Sequence, residues 1–109
     1  GHSDYGNAFE TFRDRFTESI SPRTTVIVTG DARTNYHDPN AAALRDLAVG
    51  ARALYWLNPE ARRYWDTGDS VMGVYASACD EVFEVRNLRQ LAGFVERVAM
   101  PVSRPVRHL

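Results

Sequence analysis

The sequence predicts an α/β layered fold, a parallel sheet covered by helices. Helix-like and strand-like patterns alternate along its 109 residues. The strand candidates are short runs rich in β-branched or aromatic residues. The stretches between them are long enough for helical crossovers, which favour parallel pairing and a right-handed sheet.

The first helix is predicted from Ser3-Asp4-Tyr5-Gly6 to about Ile20. Tyr5, Ala8, Phe9, Phe12, Phe16 and Ile20 recur at steps of three and four, forming one apolar stripe. Ser3 is the expected N-cap, with Asp4 in the first turn, and Ser21-Pro22-Arg23 stops the helix. Thr25–Thr29 follows as a strand apolar on both faces, the signature of burial on both sides. Gly30 to Pro39 is a polar, turn-rich loop, and Asn40 to Arg52 a second helix with Leu44, Leu47, Ala48 and Ala51 inward. Ala53–Leu57 is the second strand, stopped by Asn58-Pro59. A long connection from Glu60 to Asp69 leads to a short helix over Ser70–Ala78. Glu81–Val85 is the third strand, and Asn87 caps a helix carrying Leu88, Leu91, Val95 and Val98. Residues 101–109 show no periodicity and read as a tail, disordered or draped over the surface.

Composition narrows the function classes. The chain is 44% hydrophobic and 25% charged, with a net charge of -1, an ordinary soluble profile that gives no reason to expect nucleic acid. One cysteine, Cys79, excludes an internal disulfide and a cysteine-rich zinc site; it reads as a small buried hydrophobe. With no apolar span and no leader pattern, a cytoplasmic location is expected. All thirteen basic residues are arginine, which removes Schiff-base lysine chemistry and the phosphate-loop lysine. No dinucleotide fingerprint, nucleophile elbow or HExxH motif is present.

In open α/β sheets, ligands bind beyond the carboxyl ends of the strands. Asp31, Asn58 and Asn87 stand at those ends. Asn58 and Asn87 also read as a turn residue and an N-cap. Asp31 follows an apolar strand and precedes the next helix by several residues, a placement suited to a hard cation such as magnesium. His37 reads as an exposed loop residue. Tyr64-Trp65 is either a partner anchor or a cover for the core edge, and Arg62-Arg63 beside it suits a solvated or contact surface.

Several spaced motifs occur in order: Ser-Asp-Tyr-Gly at Ser3 to Gly6, Val-Ile-Val-Thr-Gly-Asp-Ala-Arg-Thr-Asn at Val26 to Asn35, Tyr-Trp-Leu-Asn-Pro-Glu at Tyr55 to Glu60, Trp-Asp-Thr-Gly-Asp-Ser-Val-Met at Trp65 to Met72, and Cys-Asp-Glu-Val at Cys79 to Val82. Together they make the chain similar to the CoxE-like family of von Willebrand factor A (VWA) domains, over nearly all of it up to Met100. The resemblance implies a three-layer Rossmann-like parallel sheet with helices on both faces, here three strands and four helices. It implies a metal-ion-dependent adhesion site with Asp31 as the aspartate ligand and Ser3 in the place of a threonine ligand. The family's Asp-x-Ser-x-Ser segment does not occur in the sequence, so residues 1–100 read as the C-terminal half of the domain. Mg2+ or Mn2+ is then expected in the complete domain, with weak or no binding by this chain.

The same resemblance implies a non-enzymatic protein-interaction module. Its kind acts as an accessory or maturation factor for molybdenum hydroxylases of the carbon monoxide dehydrogenase type, beside a MoxR-type AAA+ ATPase. Arg33, Asn35, Asn58 and Asp69 are the expected partner-binding rim. Thr25–Thr29 as an open edge predicts a homodimer or swapped assembly. The competing reading is a Rossmann-like, magnesium-dependent phosphotransfer enzyme using Asp31.

Overall fold

In the computed structural model, the structure describes residues 4–99. The predicted Ser3 metal ligand and the tail at 101–109 lie outside the described residues. Three strands, β1 (Thr25–Thr29), β2 (Ala53–Asn58) and β3 (Glu81–Glu84), form one sheet in the order β1-β2-β3, with both pairs parallel. Four α-helices accompany them: α1 (Tyr5–Phe16), α2 (Ala41–Gly50), α3 (Met72–Ala76) and α4 (Leu88–Phe94).

Helices lie on both faces, as predicted. On one face Phe9 of α1, Leu44 and Leu47 of α2, and Met72 and Tyr75 of α3 close over Leu54 and Trp56. Trp56 is fully buried and stacks on Tyr75, with ring centroids 5.0 Å apart. Its indole N–H donates to the Gly30 carbonyl at 2.7 Å, so the same ring fills the core and pins the loop after β1. On the other face Tyr55, Phe83 and Phe94 pack edge to face, which seats α4 on the sheet.

Several sequence expectations change. The cap of α1 is Asp4, whose carboxylate accepts the Asn7 N–H at 3.1 Å. An acid there satisfies a free N–H and suits the positive helix end. β1 is not buried on both sides: Thr25, Ile27 and Thr29 are exposed, because α1 and α2 cover only the face bearing Val26 and Val28. The stripe of α1 is buried only at Phe9, while Phe12 and Phe16 form an exposed pair 4.8 Å apart. Leu88 and Leu91 of α4 are also exposed; Phe94 carries the contact, and the helix ends in a π turn over Val95–Ala99. The connection after β2 holds a 3-10 turn at Arg62–Tyr64. Asn87 does cap α4, accepting the Gln90 N–H at 2.9 Å.

Glu84 ends β3 and ties three segments together. It accepts the Arg62 backbone N–H, the Gln90 side-chain amide and the Arg86 guanidinium. These donors, the Arg62 N–H foremost, lower its pKa from 4.5 to about 2. A folded-state pKa below the unfolded one stabilises the protein above the unfolded value, and that gain is lost as pH falls toward the folded value. Denaturation midpoints measured from pH 6 down to pH 3 should therefore fall more steeply for the wild type than for Glu84→Gln.

Candidate functional site at the carboxyl end of the sheet

The loop from Gly30 to Asn40 crosses the carboxyl ends of β1 and β2. Asp31 is half-buried there, and its Oδ1 accepts the Arg33 backbone N–H at 2.9 Å and the Tyr5 hydroxyl at 3.1 Å. Burial and the Asp31 charge raise the Tyr5 pKa, so the phenol keeps its proton and remains a donor. Among the described residues Oδ2 of Asp31 takes no hydrogen bond.

Gly30 makes this contact possible. A Cβ at Gly30 would lie 2.2 Å from the Tyr5 hydroxyl and 2.9 Å from its ring. Gly6, the second residue of α1, is equally confined, since a Cβ would lie 2.3 Å from the Asp38 carbonyl. The two glycines let α1 and the loop approach each other closely, which brings Tyr5 to Asp31.

Arg33 spends its guanidinium inside the protein. Nε and Nη2 grip both oxygens of Glu60 at 2.7 and 2.8 Å, and Nη1 reaches the Thr67 carbonyl at 2.9 Å and Asp69 Oδ1 at 3.2 Å. Asp69 Oδ2 in turn accepts the Asn35 N–H at 2.8 Å. Glu60 foremost, against some desolvation and with help from Asp69, pushes the Arg33 pKa above its usual range. For Asp69 desolvation works upward, but the Asn35 N–H and the guanidinium outweigh it, and its pKa is lowered. Planar, bidentate pairing of this kind fixes geometry as well as charge.

The clasp holds a strained backbone. Ala32, Asn35, Tyr36 and Asn40 all have positive φ, between 45° and 61°. Asn tolerates this region, but Ala32 and Tyr36 do so at a cost of about 1–2 kcal/mol each. Ala32 is fully buried, and its carbonyl accepts the Val71 N–H at 2.9 Å. Tyr36, by contrast, is 81% exposed, held outward at the loop tip.

The predicted site residues therefore separate. Asp31 and Asn35 lie together on the loop, and Asn35 is exposed. Asn58 is fully buried: its Oδ1 accepts the Glu60 N–H, and its Nδ2 donates to the Met72 sulfur. It fastens the turn after β2 and cannot meet a partner at the rim. Arg33 and Asp69 pair with each other, so as rim contacts they offer little free hydrogen-bonding capacity. Trp65 covers the core edge, donating its indole N–H to the Glu60 carbonyl at 2.9 Å beneath the Arg62 guanidinium. Tyr64 is 49% exposed. His37 is exposed, 3.8 Å from the Asp4 carboxylate. The half-buried Cys79 thiol is pushed up to about 12, first by burial and then by Asp80, and stays protonated.

Tyr5, Glu60 and Tyr36 are the site residues that spacing did not reveal. Tyr5 and Glu60 lie inside the quoted Ser-Asp-Tyr-Gly and Asn-Pro-Glu motifs, the one signal that marks them.

The family model described as VWA domain containing CoxE-like protein matches residues 1–94. The chain belongs to this family. No curated protein and no solved structure matches it. For a CoxE-like VWA chain a divalent metal is implied, so the donors around Asp31 can be tested against one. Magnesium asks for six oxygens in near-octahedral array. The described residues bring one carboxylate, with one oxygen already bonded twice, and a phenol. No group of three or more His, Cys, Asp or Glu suited to a metal occurs among them. That is a partial donor set, and it does not fit a firmly held ion.

Gly30→Ala should destabilise the fold by about 1–3 kcal/mol in denaturant titration, since the new methyl group must displace the Tyr5 ring. Tyr5→Phe in that background should recover part of the loss, because it removes the closest clashing atom.

Proposed function

We propose that this CoxE-like VWA chain is a non-enzymatic protein-interaction module whose contact surface is the carboxyl end of its sheet. The observation that carries this reading is Asp31. One carboxylate oxygen is fixed by Tyr5 and the Arg33 N–H, and the other takes no hydrogen bond among the described residues. Beside it, Asn35 and Tyr36 stand exposed on a loop held rigid by the Arg33 clasp. A preset loop loses little entropy on docking, and an exposed tyrosine is a common interface anchor.

In this proposal Asp31, with Ser3, belongs to a metal-ion-dependent adhesion site that takes Mg2+ or Mn2+ in the complete domain and binds weakly here. The partner is a MoxR-type AAA+ ATPase or a molybdenum hydroxylase of the carbon monoxide dehydrogenase type, and the protein serves its assembly in the cytoplasm. No helix among the described residues is long and apolar enough to cross a membrane. β1 pairs only with β2 among the described residues, and Ile27 is 48% exposed beside its open edge. A second copy, paired or swapped at that edge, completes the sheet in the isolated chain.

Asp31→Asn should weaken binding to the partner ATPase or hydroxylase at least tenfold; binding unchanged by the substitution overturns the reading of Asp31 as a contact residue. Calorimetry with Mg2+ or Mn2+ should show no affinity tighter than roughly 1 mM for this chain, since Asp31 is the one carboxylate at the candidate metal site among the described residues. Sedimentation at high protein concentration should give a dimer mass, and a strictly monomeric mass refutes the edge pairing.

A further inference from the structure

A groove of about 420 Å³ lies on the far side of the sheet from β1, between α3, the Arg62–Trp65 turn and the start of β3. Its apolar surface comes from Trp65, Ala76 and Val82, and its polar rim from Asp66, Asp80 and Glu81. Each rim carboxylate has one oxygen engaged: Asp66 Oδ1 accepts the Gly73 N–H at 2.8 Å, Asp80 Oδ2 the Leu54 N–H at 2.7 Å, and Glu81 Oε2 faces Arg97 Nη1 at 3.1 Å. Among the described residues the second oxygen of each takes no hydrogen bond. The groove thus combines an apolar floor with three carboxylates and a single lining cation, Arg62, which lies over the Trp65 ring at 4.3 Å.

The path of the chain points to an occupant. α4 starts beyond the carboxyl end of β3, and the turn that follows it returns to the strand's amino end. There Arg97 meets Glu81, itself part of the groove rim. Residues 100–109 follow directly, with the sequence Met-Pro-Val-Ser-Arg-Pro-Val-Arg-His-Leu. This segment carries Arg104 and Arg107, no acidic side chain, and alternating proline and valine. We propose that residues 101–108 dock in this groove of their own chain, the arginines on the Asp66, Asp80 and Glu81 carboxylates and the prolines and valines over Trp65, Ala76 and Val82.

Reach and charge both suit this pairing. Eight extended residues span on the order of 25 Å, enough to run from Glu81 along the groove. Two prolines favour extended backbone, so less conformational freedom is lost on docking than for a glycine-rich segment. Arginine is also suited to both surfaces, since its fork pairs with carboxylates and its plane stacks on aromatic rings.

A nitroxide at position 103 of the full chain tests this, in a Ser103→Cys/Cys79→Ser variant observed by NMR. The label should broaden the Trp65 indole N–H and the amide signals of Gly73 and Val82, while an Arg104→Glu/Arg107→Glu version carrying the same label should lose that broadening. In the unlabelled 109-residue chain the same charge reversal should shift those three signals and leave the buried Trp56 indole in place. Raised salt should act like the charge reversal, because the carboxylates are at the surface. Broadening confined to residues 95–99 overturns the proposal. Broadening that vanishes on dilution also overturns it, because it assigns the groove to the tail of a second copy, as does broadening that survives charge reversal.

Discussion

The segments that follow β1 and β2 at the carboxyl end of this sheet are tied together by one guanidinium. Arg33, in the loop after β1, grips the Glu60 carboxylate after β2 with two parallel bonds, and bonds to Thr67 and Asp69 further along the same connection. A lysine would present its three donors from one freely rotating nitrogen and could not grip a carboxylate with two parallel bonds; the planar fork makes several contacts in fixed geometry. Because the same residue's backbone N–H also holds Asp31, the clasp and the candidate contact residue are one mechanical unit. The positive φ of Ala32 and Tyr36 persists because the surroundings over-determine it.

The core enforces the same arrangement from below. Trp56 is fully buried between α1 and α3, stacked on Tyr75, and its one polar atom is spent on the Gly30 carbonyl. Burial of an indole is favourable only if that N–H finds a partner, so packing and loop position are coupled. The small residues Gly6 and Gly30 admit α1 close enough for Tyr5 to reach Asp31. The candidate surface is thus rigid from two directions, by the ion pairs above and the aromatic stack beneath. Rigidity of this kind suits recognition, where ordering a loop on contact would reduce affinity.

Much of the fold was legible in the sequence. The three strands, their parallel pairing and the helices between them follow from alternating apolar patterns and crossover length, and the ordered motifs pointed to the CoxE-like VWA family. What misled was treating apolar periodicity as burial. Phe12, Phe16, Leu88 and Leu91 keep the period of a core stripe yet remain exposed, because a stripe is buried only where a neighbour lies over it. In the site, Asp31 was legible from its place after a strand. The roles of its companions were not: Asn58 is a buried fastener, while Arg33 and Asp69 are partners of each other.

The sequence by itself determined the element types, their order and the family, since these rest on local patterns: residue period, turn formers and motif spacing. Only the tertiary structure decided which charged residues face the solvent and which face one another. Arg33 and Glu60 are 27 residues apart and Arg33 and Asp69 are 36 apart, separations at which no local pattern links them. Their meeting depends on the parallel register, which sets the ends of β1 and β2 side by side and turns an arginine that looked like a rim contact into the loop's internal clasp.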